Sequence, residues 1–206
     1  IALLISLFWW CGIHGATIIG GIMGPILQSN GLANQEVFNS GAKLVAGQNA
    51  AVVTNQFVDQ FITFGGSGLT LGLVCTMLYF SKSRQYKELG KLSIIPGLFN
   101  INEPIIFGFP VVFNPIMAIP FILAPVISAI MVYVSIATGI VEPFRAISVP
   151  WTTPFIISGF LIGGVKAAIL QIAVFSMTVA VYFPFFKYQD KLAYQEEQKI
   201  GTEATV

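Results

Sequence analysis

The feature that most constrains this chain is a run of 20 residues, Ala167 to Phe186, without a charged side chain and flanked by Lys166 and Lys187. Twenty residues rise about 30 Å as an α-helix, which matches the hydrocarbon thickness of a bilayer. Charged residues make up 9% of the 206 residues, whereas soluble domains carry about 25%. The apolar runs are too long for barrel strands. The sequence therefore predicts an all-α integral membrane protein with transmembrane helices.

Charge and length together predict the topology. The basic cluster at 82–91, which is expected to form a loop, and the polar tail at 187–206 are both expected on the cytoplasmic side. Lys166 then lies outside, so the chain between the basic cluster and Lys166 crosses an odd number of times. The apolar run at 115–141 supplies one crossing. Residues 92–114 must therefore enter and return on one side, which predicts a re-entrant hairpin.

The rest of the chain is expected to follow the same plan. Residues 1–186 form one membrane domain, and the tail at 187–206 is expected to fray. Residues 1–27 are expected to cross once, with His14 near mid-span, and residues 28–59 to form an outer loop with short helical pieces. The chain begins in an apolar run without a Met or a charged n-region, so we predict no signal peptide and expect a piece of a longer protein.

The stretch "LFNINEPIIFGFPVVFNPIMAIPF", residues 98–121, places polar residues and prolines inside an apolar segment. Broken backbone at membrane depth is tolerated where it lines a cavity or is buried in protein. A carboxylate such as Glu103 costs about 2.5 to 3.5 kcal/mol at the bilayer centre, which favours a role as a hydrogen-bond acceptor for a polar substrate or as a base. The alternative is a structural carboxylate in the first turn of a helix begun by Pro104. Three amides either satisfy the broken backbone or contact substrate hydroxyls: Asn100, Asn102 and Asn114.

His14 and two tryptophans are the other candidate site residues. His14, in "WWCGIHGAT", is the single histidine of the sequence. Glycines flank it, and it shares a predicted depth with Glu103, which favours function over a core role. Trp9 and Trp151 fit an interfacial belt and a ligand-stacking role equally well. One histidine and scattered carboxylates give no metal-ligand spacing, so no metal or cofactor is predicted.

Other features predict local structure. Glu142 and Arg145, three residues apart, are expected to form an ion pair at the outer surface. Two glycine pairs are typical of close helix packing: Gly20 with Gly24, and Gly159 with Gly163. Cys11 and Cys75 lack CxxC spacing and are predicted to be buried free thiols.

These observations predict a carrier whose midplane polar site is built from a broken helix and a hairpin. Amides, a carboxylate, a histidine and tryptophans suit a neutral, hydroxyl-rich solute better than an ion. No basic stripe indicates nucleic acid. Two alternatives stay open: a cation-coupled secondary transporter with Glu103 and His14 as a proton relay, and a membrane scaffold in which polar residues only pack helices.

Three segments resemble one known family. "NINEPIIFGFPVVFNPIMAIPFILAPV" resembles the most characteristic segment of enzyme IIC of the bacterial phosphoenolpyruvate-dependent sugar phosphotransferase system, lactose/cellobiose/diacetylchitobiose family. "FWWCGIHG" resembles its histidine-bearing segment, and "VPWTTP" resembles a later segment in the same order. The resemblance covers about residues 1 to 190. It corresponds to the second half, the transport domain, of a family chain about twice as long.

The resemblance implies a multi-pass permease of the bacterial inner membrane, homodimeric in the full-length parent. Such a subunit binds a β-linked disaccharide, of the lactose, cellobiose or diacetylchitobiose class, and carries it inward by a rigid-body movement. A phosphocysteine of cytosolic enzyme IIB then phosphorylates the sugar. Glu103 is carried over as the residue that holds and deprotonates the reacting hydroxyl, with His14 beside it. Three further residues are carried over as sugar contacts: Asn102, Trp9 and Trp151.

Overall fold

The computed structural model describes residues 1–109 and 111–203, and within these ranges the chain is helical and contains no β-strand. The helices are α1 Ala2–Trp10, α2 Gly15–Asn39, α3 Asn55–Phe57, α4 Leu71–Phe80, α5 Arg84–Leu98, α6 Glu103–Gly108, α7 Pro115–Ala137 and α8 Ile157–Glu203. A π-helical turn, Val58–Ile62, directly follows α3. The all-α prediction is confirmed.

Helices α7 and α8 are the two described helices that are long and apolar enough to cross a membrane. They coincide with the two cleanest apolar runs of the sequence. Asn114 begins α7 by accepting a hydrogen bond on Oδ1 from the N–H of Ile116 at 3.0 Å. Pro115 occupies the first helical position, where a missing N–H removes no helical hydrogen bond.

Helix α8 reverses direction near its start. Gly163 and Gly164 have non-helical backbone angles, and Gly164 has a φ of 67°. Oε1 of Gln171 accepts hydrogen bonds from the N–H groups of Ile156 at 2.6 Å and Gly159 at 2.9 Å. Along a straight helix, 12 residues would separate Gly159 and Gln171 by about 18 Å. The first turns of α8 therefore fold back, and a Cβ on Gly159 would clash with Gln171, as its packing motif predicts.

The first apolar run, residues 1–27, is a helical hairpin and not one crossing helix. Gly12 has a φ of 79°, which lets the chain turn between α1 and α2. A Cβ on Gly15 would clash with the carbonyl oxygen of Ile5, so the two helices pack side by side. The single crossing predicted for this run is wrong, because the glycines permit a reversal. His14 consequently lies at the hairpin tip.

The outer loop predicted for residues 28–59 is wrong over its first third, because α2 continues to Asn39. Asn34 shows how an amide-rich sequence stays ordered. Its Nδ2 donates to the carbonyl oxygens of Ala51 at 2.9 Å and Phe144 at 2.8 Å, and its Oδ1 accepts from the N–H of Ala51 at 2.8 Å. Such amides join distant segments instead of ending the helix.

Helices α5 and α6 form the hairpin expected at residues 92–114. A Cβ on Gly108 would lie 2.7 Å from a methyl group of Leu89, so α6 returns alongside α5. The first arm is longer than predicted, because α5 begins at Arg84. The basic segment at 82–91, expected as a loop, is therefore mostly helical. Entry and exit of the hairpin on one side of the membrane stay a prediction.

The polar tail at 187–206 does not fray over its described part, because α8 continues through it without a break. Asp190, only 2% exposed, accepts hydrogen bonds from Ser81 Oγ at 2.7 Å and from the N–H of Ser83 at 3.0 Å. These bonds tie the tail to the chain that enters α5. Residues 204–206 lie outside the described residues.

Aromatic side chains dominate the core. The largest fully buried ones are Phe61, Phe64, Phe109, Phe121, Phe144, Tyr182 and Phe186. The hydroxyl of Tyr182 donates to the carbonyl oxygen of Gly68 at 2.6 Å. This bond fixes the glycine-rich loop between the π-helical turn and α4 against α8.

The predicted ion pair of Glu142 and Arg145 is absent among the described residues. The guanidinium carbon of Arg145 instead lies 3.9 Å from the ring centroid of Phe38, a cation–π contact. The physical reason is local: residues 138–156 are not helical, so a spacing of three does not bring two side chains together.

The remaining local predictions concern a glycine pair in α2 and the two cysteines. A Cβ on Gly20 or Gly24 would meet nothing within 4 Å, so this glycine pair has no packing partner in the described part of the chain. Cys11 and Cys75 are free, and each is half-buried.

Candidate functional site

All five residues predicted for the site line one cavity of about 280 Å³. They are Trp9, His14, Asn102, Glu103 and Trp151. The remaining lining residues are Ala16, Asp59, Thr63, Gly66, Ser67, Asn100 and Ile101. The structure thus brings the five together, while the role of each in binding or chemistry stays a prediction.

The cavity lies where irregular backbone from separate parts of the fold converges. Its walls are the tip of the α1–α2 hairpin, the π-helical turn, the glycine-rich loop at 65–68, the turn between α5 and α6, and the segment around Trp151. Single π-helical turns occur often at functional sites. A cavity lined by irregular backbone places polar groups inside an otherwise apolar protein.

His14 is the N-cap of α2. Its Nδ1 accepts a hydrogen bond from the N–H of Thr17 at 3.2 Å and lies 2.8 Å from the Thr17 hydroxyl. The imidazole ring also packs on the indole of Trp9, with centroids 4.4 Å apart and planes 52° apart. The ring is therefore held by the helix start and by α1.

Two carboxylates border the cavity. Glu103 is the first residue of α6, followed by Pro104, so its charge lies at the positive end of a short helix. Asp59 lies in the π-helical turn on another wall. Both are exposed residues, and neither carboxylate has an ion-pair partner among the described residues. An ionised carboxylate only accepts hydrogen bonds, so each suits a ligand hydroxyl.

Asn102 holds the glycine-rich loop in place. It is 5% exposed, and its Nδ2 donates to the carbonyl oxygen of Ser67 at 2.8 Å and to Thr70 Oγ1 at 3.1 Å. Gly66, with a φ of 89°, passes so close that a Cβ would clash with the Asn102 side chain. Asn102 thus fixes the wall of the cavity directly beside Glu103.

Asn100 joins three segments around the cavity. It has a φ of 67°, and its Oδ1 accepts from the N–H of Gly65 at 2.6 Å. Its Nδ2 donates to the carbonyl oxygens of Trp151 and, at 3.1 Å, Thr153. These bonds agree with the alternative in which Asn100 satisfies the broken backbone. The helix-capping bond of Asn114 agrees with the same alternative for that residue.

The two candidate tryptophans differ in exposure. Trp9 is 7% exposed and packs on His14, whereas Trp151 is 62% exposed at the rim. Trp151 therefore offers much more ring surface to a ligand. The neighbouring Trp10 is structural, because its Nε1 donates to the carbonyl oxygen of Asn114 at 3.0 Å.

Sequence reasoning missed Asp59 and Thr17. Asp59 stands in "QFVDQFITF", where its apolar neighbours were a signal for an embedded carboxylate, yet it was counted as the end of the outer loop. Thr17 carries no signal in the sequence, because its contact depends on the geometry of the helix start. No group of three metal-ligating side chains lies together in the described ranges.

Comparison with known proteins identifies the class of this helical transport fold. Residues 1–125 match the family described as "Phosphotransferase system, EIIC". The chain is 49% identical over 200 residues to the cellobiose-specific EIIC component of Geobacillus stearothermophilus, covering 95% of this chain and 43% of the relative. It is 43% identical over 196 residues to the lichenan permease IIC component of Bacillus subtilis (strain 168), covering 94% and 42%.

A solved structure shares the fold. The crystal structure of the transporter ChbC, the IIC component of the N,N'-diacetylchitobiose-specific phosphotransferase system, matches with a TM-score of 0.90 and 44% identity. The match covers 96% of this chain and 45% of ChbC. This chain belongs to the EIIC family of the phosphotransferase system, whose members are membrane permeases, and the resemblance seen in its motifs is confirmed. The chain spans less than half the length of the relatives it matches.

Proposed function

We propose that this chain is the transport domain of an EIIC sugar permease. It binds a β-linked disaccharide in the cavity, carries it across the bacterial inner membrane and presents it to cytosolic enzyme IIB for phosphorylation. One observation supports this most strongly. Residues carried over from the family by motif come from three distant parts of the sequence, and all of them line a single cavity.

The reaction assigns a role to each polar group. Phosphoryl transfer breaks the S–P bond of the enzyme IIB phosphocysteine and forms an O–P bond to a sugar hydroxyl. The proton of that hydroxyl passes to the Glu103 carboxylate as general base. Asn102 keeps Glu103 and the neighbouring loop in register. Trp151 stacks on the apolar face of a sugar ring. Trp9, whose indole also packs on His14, contacts the sugar with the small part of its ring that is exposed.

The substrate class is assigned from the relatives. The cavity, at about 280 Å³, lies just below the range of about 300 to 1,000 Å³ that is usual for small-molecule sites. The names of the relatives carry cellobiose, lichenan and N,N'-diacetylchitobiose, and from these we assign β-linked disaccharides as a class. We further propose that the full-length parent is a homodimer and a multi-pass protein of the inner membrane.

The decisive experiment is Glu103→Gln in the full-length parent, assayed for sugar phosphorylation by enzyme IIB in membrane vesicles. We expect a loss of about 10²- to 10⁴-fold, the range for a general base, with normal membrane insertion. Glu88→Gln is the matched control, because Glu88 is an exposed residue that pairs with Lys91 and with no other residue in the described ranges, and we expect unchanged phosphorylation. Equal activity of Glu103→Gln and the parent would refute the proposed site.

A second arm of the experiment addresses the alternatives. Uptake driven by an imposed proton gradient, without a phosphoryl donor, would show cation-coupled transport and contradict the proposal. If the protein inserts into the membrane but neither binds nor phosphorylates a sugar of the lactose, cellobiose or diacetylchitobiose class, the result would indicate a membrane scaffold. Membership of the EIIC family supports neither alternative.

A further inference from the structure

The start of α2 is unusual, because its N-cap residue is a histidine. An N-cap side chain accepts a hydrogen bond from a backbone N–H in the first helical turn. Here Nδ1 of His14 accepts from the N–H of Thr17 at 3.2 Å, and the Thr17 hydroxyl lies 2.8 Å from the same nitrogen. Nδ1 of His14 therefore acts as the N-cap acceptor of α2.

This capping bond selects the tautomer of His14. In a neutral imidazole, one nitrogen bears the proton and the other accepts. A backbone N–H is always a donor, so Nδ1 must be the unprotonated nitrogen and the proton must lie on Nε2. A proton on Nδ1 would point at the Thr17 N–H and break the cap. The hydroxyl of Thr17 reinforces the choice, because it can donate to Nδ1 as well.

The second ring nitrogen remains for the cavity. Nε2 of His14 has no hydrogen-bond partner among the residues that the structure describes. The ring cannot easily rotate, because the indole of Trp9 packs on it at 4.4 Å between centroids. Glu103 and Asp59, which line the same cavity, offer acceptors. A hydrogen-bond donor on His14 complements them.

We infer that Thr17 is a positioning residue that fixes the Nε2–H tautomer of His14, so that His14 serves the cavity as a hydrogen-bond donor and not as a base. The acceptor is an oxygen of the bound sugar. This inference rests on the proposed function, since it assumes that the cavity holds a sugar. In this arrangement Glu103 accepts the proton of the reacting sugar hydroxyl, and Nε2–H of His14 donates a hydrogen bond to a sugar oxygen.

The tautomer is tested directly by ¹⁵N NMR of the histidine-labelled full-length parent near neutral pH, without sugar. The His14 signals are assigned by their loss in His14→Gln. We expect a protonated Nε2 and an unprotonated Nδ1. Thr17→Val, which keeps the shape and removes the hydroxyl, should raise the fraction of the other tautomer and lower sugar phosphorylation about 2- to 10-fold, as for one hydrogen bond. Thr17→Ser should restore both.

Thr138→Val is the matched control. The Thr138 hydroxyl also bonds within its own helix, to the carbonyl oxygen of Val134 at 2.7 Å, far from the cavity lining. We expect it to change neither the His14 signals nor phosphorylation. If Thr17→Val lowered stability but left the tautomer unchanged, the backbone N–H alone would set the tautomer, and the role inferred for the Thr17 side chain would be overturned.

Replacement of His14 gives an independent test. The amide nitrogen of Gln reaches roughly the place of Nε2, whereas that of Asn reaches the place of Nδ1. We expect His14→Gln to keep at least tenfold more sugar affinity than His14→Asn. Equal affinities, or an Nδ1–H signal in the parent, would overturn the inference without touching Glu103. Conversely, full activity of Glu103→Gln would refute the proposed function while the tautomer measurement stands.

Discussion

Gly66→Ala in the full-length parent probes how the cavity wall is built. Gly66 has a φ of 89°, in the region that favours glycine, and a Cβ there would clash with the Asn102 side chain. The substitution therefore strains the backbone and displaces Asn102. Both effects act directly beside Glu103, so stability and sugar binding should change together.

The magnitude follows from the contacts. Forcing a residue with a Cβ into a left-handed conformation costs about 1 to 2 kcal/mol. Displaced Asn102 loses hydrogen bonds to the Ser67 carbonyl and the Thr70 hydroxyl, each worth about 0.5 to 1.5 kcal/mol. We therefore expect Gly66→Ala to lower the free energy of unfolding by about 2 to 5 kcal/mol.

Gly139→Ala separates the two contributions. Gly139 has a φ of 75°, and a Cβ there would meet nothing within 4 Å, so this control should lose only the backbone share of about 1 to 2 kcal/mol. Chemical unfolding in detergent and calorimetric sugar binding provide the measurements. Equal destabilisation of the two variants, or unchanged sugar affinity of Gly66→Ala, would refute the role given to Asn102.

Three further predictions concern the framework. Asp190→Ala should lower the free energy of unfolding by about 3 to 5 kcal/mol, because the buried N–H of Ser83 and the partly buried N–H of Lys82 lose a charged acceptor. Replacement of exposed Lys191 by Ala should have little effect, and similar losses for the two variants would contradict this. Hydrogen bonding by the Ser83 hydroxyl lowers the pKa of Glu197 from its ordinary value of 4.5. The stabilisation contributed by ionised Glu197 is therefore complete above about pH 4.5 and is lost as the pH falls through the lowered pKa. The acid dependence of unfolding should be weaker in Glu197→Gln. Identical pH profiles of this variant and the parent would refute a contribution of Glu197 to stability. Gln171→Leu should cost about 1 to 3 kcal/mol per amide left unpaired and speed hydrogen exchange before the α8 reversal, which unchanged exchange would contradict.

The sequence predicted those elements whose cause is local. The apolar runs that became α7 and α8 are long enough to fix their type, and the turn between α5 and α6 followed from counting charged ends. The reversal at Gly12 was not predictable in this way, because one crossing helix and two paired helices bury similar apolar faces. The contact of Gly15 with Ile5 decides between them, and that contact is tertiary.

The same distinction between local and tertiary causes applies to the residues of the site. The sequence singled out Glu103 and His14 because polar groups are costly inside a membrane protein, and both line the cavity. Asp59 was missed because its place on the cavity wall depends on a π-helical turn, which no sequence period marks. Thr17 was not singled out because its contact with His14 depends on the distance between its N–H and one ring nitrogen. The continuation of α8 through its polar end likewise depends on Asp190 finding donors across the fold.

Distant segments of the fold are cross-linked by neutral amides. The members of this set are Asn34, Asn100, Asn102 and Gln171. Moving one elementary charge across a membrane potential involves about 2.3 kcal/mol per 100 mV, whereas moving an amide involves no such electrical work. If the domain carries its sugar through the bilayer, these amide cross-links therefore contribute no electrical work to the movement. Any voltage dependence of transport would come from charged groups that move with the domain, and Glu103 and Asp59 at the cavity are two of them.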